Sequence, residues 1–280
     1  MSRQKTLADR EQYVVKANDL IRRTRYSLTA QQQKIVLFAI SKIKPDDDIH
    51  TEYTFDINEL ANACGMNIRD GGYYYDKIKE DLKRLAEPTW IPMTNEDNKP
   101  VERMISWINS DAEIMPGDSK VKLSFNKHLQ PYLFDLKEKY TQYRLQNVLV
   151  FRGKYAIRLY EIMRSYTTQR ALDDYTERDI IITLDDLRYL LDADVYKRWV
   201  DFDRFVLKPA VSEINKRAED IHVEYEPMRG DHTRSIEKIN FIITCARIKQ
   251  AYEAHVARKK KLDHFEIGAE NKTTKGDVVK

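Results

Sequence analysis

Lys208, Ser212, Asn215 and Lys216 recur at helical spacing within "FDRFVLKPAVSEINKRAEDIHVEYEP". They are the side-chain types that reach phosphate oxygens and base edges: two ammonium groups, a hydroxyl, and a carboxamide with donor and acceptor side by side, suited to adenine as Lys is to guanine. Arg204 lies one helical turn upstream, and "RGDHTRS" brings Arg229 and Arg234 into one short turn, with Lys238 following. Bond-making chemistry has no comparable signature. There is no G-x-x-x-x-G-K-[ST] phosphate loop, and "RGKY" at Arg152–Tyr155 lacks the upstream glycine. The 6 His are scattered, without a His-x-His pair or HExxH. No catalytic residue, metal ligand or cofactor is therefore expected. The run Tyr73–Tyr75 suggests a tyrosine nucleophile, but without clustered histidines or a basic cage it reads better as a half-buried helix entry.

The elements that hold these groups follow from apolar spacing. Leu207, Ala210, Val211, Ile214 and Ala218 form one helical stripe, and Ile221, Val223 and Tyr225 alternate as in a half-buried strand. Pro209 inside a helix would lose a hydrogen bond and clash with the carbonyl of Phe205. The helix should therefore start or bend near Lys208, with Phe202, Phe205 and Val206 in a preceding turn. Upstream, "DIIITLDDLRYLLDA" is a strand entering a helix capped by Thr183, and "GKYAIRLYEIMRSY" is a further helix. The order is helix, strand, helix, helix, strand, turn, strand. The first half repeats it: a helix with Thr29 and Gln32 as a capping box, a strand into a helix capped by Asp56, the helix "YYYDKIKEDLKRLAE", then strands "TWIPM" and "VERMISWIN".

This order defines an α+β fold of two tandem winged-helix (winged helix-turn-helix) domains, in which the third helix is placed to enter a groove of duplex DNA and the hairpin wing lies on its backbone. The divisions read as 1–145, 146–250 and a basic, helical then disordered tail, 251–280. Lys77, Lys79, Lys83 and Arg84 occupy the equivalent helix of the first half. Asp203, Glu213, Glu219 and Asp220 flank the second helix, which favours specific recognition of double-stranded DNA over non-specific attraction.

A chain of 280 residues has room for two cores. A net charge of +3 and pI of about 8.6 are too mildly basic to identify a nucleic-acid partner, so segregation of charge must do so. Two cysteines make no disulfide framework, the start has no apolar signal region, and "IVLFAI" is too short to span a bilayer. A cytoplasmic protein without membrane contact is expected.

Three blocks, "VVKANDLIRRTRYSLTAQQQKIVLFAISKI", "VKLSFNKHLQPYLFDLKEKYTQYRLQNVLVFRGKYAIRLYEIMRSY" and "FDRFVLKPAVSEINKRAEDIHVEYEP" with its hairpin, together resemble the iteron-binding plasmid replication initiators, the Rep_3 (RepE/π-like) Rep proteins. The resemblance spans about Val14 to Cys245. It implies tandem winged-helix domains that bind repeated sites at an origin. It also implies a monomer that initiates, and a homodimer, to whose contact the first domain contributes, that represses its own gene or restrains copy number. Further implied partners are the host initiator and the replicative helicase apparatus. The DNA-contact role passes to Lys208, Ser212, Asn215 and Lys216, and then to Arg204 and the wing arginines. Three rivals share the residue pattern: a winged-helix transcriptional repressor, a DNA-nicking enzyme, and a protein-interaction module.

Overall fold

The structure, a computed structural model, describes residues 13–67, 73–94, 99–115, 119–167, 176–230 and 234–245. The expected tail, 251–280, and the wing-tip positions 231–233 lie outside them. Helix starts sit where side chains satisfy orphaned backbone donors. Thr29 Oγ1 accepts from the Gln32 amide at 3.2 Å while Gln32 Oε1 accepts from the Thr29 amide at 3.0 Å. Asp56 Oδ1 accepts from the amides of Asn58 and Glu59, and Thr183 Oγ1 accepts from that of Asp186.

In chain order, the first half comprises β1 (Tyr13–Ala17), α1 (Asn18–Arg23), α2 (Ala30–Ile40), β2 (Tyr53–Asp56), α3 (Ile57–Ala63), α4 (Tyr73–Ala86), β3 (Thr89–Thr94), β4 (Pro100–Ile105), β5 (Glu113–Met115), β6 (Lys120–Leu123), α5 (Gln130–Leu133), β7 (Tyr140–Arg144) and α6 (Leu145–Leu149). The second comprises α7 (Lys154–Ser165), β8 (Thr176–Thr183), α8 (Leu184–Leu190), α9 (Trp199–Phe202), a π turn (Asp203–Leu207), α10 (Lys208–Arg217), β9 (Ile221–Arg229) and β10 (Ile236–Cys245). β8, β10 and β9 form one antiparallel sheet, so the wing hairpin is continuous with the strand that enters α8.

The first half keeps the order of elements but not the pairing. Its hairpin β3–β4 is a separate two-stranded ribbon, and β2 pairs instead with β6 in the sheet β2-β6-β5. β1 pairs with β7, closing the half on itself.

Between the halves lies α7. All residues from Ala156 to Ser165 are buried, so this helix needs partners for Arg158, Glu161 and Arg164 inside the protein. Lys16 of β1, only 1% exposed, pairs with Glu161, also 1% exposed. Tyr143 of β7 donates to Glu161 as well. Arg158 donates to the carbonyls of Ile21, Thr24 and Leu190, and its guanidinium lies 3.9 Å from the Tyr26 ring centroid. Arg164 donates to the Gln142 carbonyl at 3.0 Å and pairs with Asp220 at 3.2 Å. The helix thereby joins β1, α1 and β7 of the first half to α8 and the α10–β9 junction of the second.

Glu161→Ala leaves the Lys16 ammonium buried without its acidic partner and should lower the free energy of unfolding by about 3–5 kcal/mol. Urea denaturation checks this; a loss of less than about 1 kcal/mol, the range of exposed pairs, would mean that the buried pair contributes no more than a surface one.

Candidate nucleic-acid interface

The helix placed to read a groove is longer than its apolar stripe suggests. It begins at Trp199, not near Lys208, and Phe202, Phe205 and Val206 belong to it. This corrects the expected start, while the irregularity expected there falls just before Lys208, in a turn that holds Phe205 and Val206, and the reason is Pro209. Pro209 has no N–H to return to the Phe205 carbonyl, and the chain absorbs the loss in a π turn whose Lys208 amide bonds five residues back, to the Asp203 carbonyl. Leu207, Ala210, Val211, Ile214 and Ala218 are all buried as the stripe requires.

The turn from α8 into α9 is held from outside the module. Asp192, in the left-handed region at φ 54°, accepts from Arg25 Nε at 2.7 Å, Ser27 at 3.2 Å and Lys154 at 3.2 Å, and Asp194 accepts from Arg25 at 2.5 Å. Arg188 donates to the Lys197 carbonyl at 2.6 Å. Arg25 and Ser27 come from the first half, so that half fixes the entry of this helix.

Arg204, Lys208, Ser212 and Lys216 are exposed along one side, and none has an ion pair among the described residues. Asn215 does not join them. Its Nδ2 donates to the Val223 carbonyl and its Oδ1 accepts from the Val223 amide, both at 2.8 Å. β9 is an edge strand, and Asn215 covers that edge where no neighbouring strand does, so its adenine-reading pair of groups is committed to the fold. Val223 is fully buried, so its backbone could not turn to water instead.

The flanking acids are also turned inward. Asp203 accepts from Tyr225 at 2.5 Å. Glu213 takes the amides of Arg152 and Gly153 at 2.7 and 3.1 Å, capping the start of α7. Asp220 accepts from Tyr160 at 2.8 Å and pairs with Arg164. Of the four, only Glu219 is exposed. The outward face is thus more positive than the residue count implies.

On the wing, Arg229, Arg234 and Lys238 are exposed. In the first half, Asp81 ties α4 to α2 by accepting from Gln31 and Gln32 at 2.5 and 3.0 Å. Lys79 and Lys83 are exposed without an ion pair among the described residues, whereas Lys77 pairs with Glu80 and Asp81, and Arg84 with Glu87. Tyr73 is exposed, and Tyr74 donates to Asn58. No group of three or more His, Cys, Asp or Glu able to hold a metal occurs among the described residues. Burial pushes the Cys64 thiol up to about 12, so it stays protonated. No helix among the described residues is long and apolar enough to cross a membrane.

The earlier helix start adds exposed residues that the sequence reading passed over: Lys197 and Arg198 at its entry, and Phe205 within it. The signal available was spacing, since Phe205, Lys208, Ser212 and Lys216 stand at i, i+3, i+7 and i+11.

Residues 13–164 match the family model described as Initiator Replication protein, WH1, and residues 183–243 match Initiator Rep protein, WH2. The chain belongs to this initiator replication protein family. A replication initiation protein of Escherichia coli is 28% identical over 210 residues, 73% of this chain and 62% of the relative's length. The fold is similar to that of a Pi initiator protein, solved in complex with iteron DNA, at a TM-score of 0.66 and 20% identity, covering 84% of this chain and 98% of that one. The tandem winged-helix architecture is that of this initiator family.

Asn215→Ala should destabilise the protein by about 1–3 kcal/mol, the range for a buried donor and acceptor left unmatched. Urea unfolding measures it; stability within about 0.5 kcal/mol of the parent, the range of ordinary surface changes, would return Asn215 to the outward face.

Proposed function

We propose that the chain is a non-enzymatic initiator of plasmid replication that binds directly repeated sites, iterons, in duplex DNA at an origin. The observation that carries this reading is the sorting of charge on the α9–α10 helix and its wing: Arg204, Lys208, Lys216, Arg229, Arg234 and Lys238 face outward without ion pairs among the described residues, while Asp203, Glu213 and Asp220 bond inward. Membership of the replication initiator family and a fold shared with an initiator solved on iteron DNA support it.

In this reading, residues 146–250 supply the main recognition surface. Residues 1–145 add backbone contacts through Lys79 and Lys83, assisted by Lys77 and Arg84, and mediate self-association. Joining two modules on one chain raises affinity through effective concentration. Several copies on adjacent repeats bend the origin and strain a neighbouring AT-rich segment, whose opening recruits the host initiator and the replicative helicase apparatus. A homodimer represses the chain's own gene. All of this takes place in the cytoplasm, with no membrane contact.

The test is fluorescence anisotropy on the direct repeats beside the chain's own gene, against a shuffled duplex, at two salt concentrations. The repeats should be preferred by at least ~10³ at both. Equal binding that disappears with salt would contradict the proposal. Lys208→Ala should weaken binding to all duplexes alike and reduce the salt slope by about 1.

A further inference from the structure

We infer that Phe205 reads the methyl group of a thymine next to the base pair engaged by Arg204. The inference rests on the duplex-binding reading and goes beyond it by assigning one base contact to an apolar side chain.

Phe205 is 50% exposed, although apolar neighbours in the same turn are not: Phe202, Val206 and Leu207 are fully buried. It is surplus to the core. Its place at the head of the stripe that continues through Lys208, Ser212 and Lys216 puts it on the outward face, near the end of the helix that meets base edges in helix-turn-helix docking. The surrounding cations favour one occupant, a polyanion.

The ring is also held in place. It stacks on Tyr196 at a centroid distance of 5.9 Å and an interplanar angle of 27°. The Arg204 guanidinium lies 5.2 Å from the Phe205 centroid. A guanidinium suited to the O6 and N7 of guanine therefore stands beside a half-exposed apolar ring. In the major groove the apolar feature presented by a base is the thymine C5-methyl. The π turn forced by Pro209 brings this pair onto the same helix as Lys208 and Ser212, so an arginine, an aromatic ring, a lysine and a hydroxyl face the groove in sequence.

Uracil differs from thymine only by that methyl, and its base pairing is the same. The full chain would first be used to select a tight-binding duplex from a randomised pool. Each thymine of that duplex would then be replaced singly by deoxyuridine, and affinity measured by anisotropy for the parent chain, Phe205→Ala and Phe205→Leu. Melting temperatures would establish that the variants fold.

At one position, or two adjacent ones, uracil should weaken the parent chain by about fourfold, the effect of returning one methyl group to water. Phe205→Ala should bind the unmodified duplex more weakly and be indifferent to uracil there, while Phe205→Leu keeps part of the penalty. Indifference of the parent chain to uracil at every position would overturn the inference. So would an alanine variant that pays the same penalty, because the ring would then act only by positioning Arg204. Unchanged DNA binding by Phe205→Ala would assign the ring to a protein contact instead. If the pool yields no enriched duplex, the duplex-binding reading itself fails, and this inference with it.

Discussion

Arg158, Glu161 and Arg164 project from one helix that is buried from Ala156 to Ser165, and the rest of the structure is arranged to satisfy them. A charge taken out of water costs several kcal/mol unless paired and hydrogen-bonded. Here the partners come from both directions: Lys16, Tyr143 and the carbonyls of Ile21, Thr24 and Gln142 from the first half, and the Leu190 carbonyl and Asp220 from the second. Apolar packing would tolerate many relative placements of two modules, whereas these directional bonds favour one. The buried charges of α7 set orientation more than net stability, since well-packed apolar residues often replace such groups without loss.

The same logic extends to the reading helix. Its beginning is fixed by Arg25 of the first half through Asp192 and Asp194, its middle by Glu213 on the amides that start α7, and its end by Asn215 on the edge of β9. Glu213 and Asn215 fall among the residues meant for the outward face, yet both turn back to the fold. The side left outward is narrow: Arg204, Phe205, Lys208, Ser212 and Lys216. A helix restrained at three levels holds the backbone that carries these groups in one place.

What the sequence made legible was local. The caps at Thr29, Asp56 and Thr183 could be read because a side chain bonding two or three residues ahead leaves a fixed pattern. The stripe from Leu207 to Ala218 could be read because helical period is a property of neighbours. What was hidden depends on distant partners. Asn215 on a helix surface looks the same whether it meets water or the edge of a strand. Pro209 announced a missing donor but not that a π turn would carry the helix through it. The pairing of β2 with β6 instead of the wing depends on a strand more than sixty residues away. The segment "KYAIRLYEIMRS" could be read as a helix, but not that its charged residues lie buried from Ala156 to Ser165, because their partners are distant in sequence.

Buried bonds from α7 reach both winged-helix modules, which should hold the two as one rigid unit. Hydroxyl-radical footprinting of the full chain on its preferred duplex tests it most directly. Two protected tracts at one fixed spacing are expected, appearing together as protein is added and losing their common spacing when the Arg25 contacts to Asp192 and Asp194 are broken. A single tract of one module's width, or two that appear independently, would contradict it.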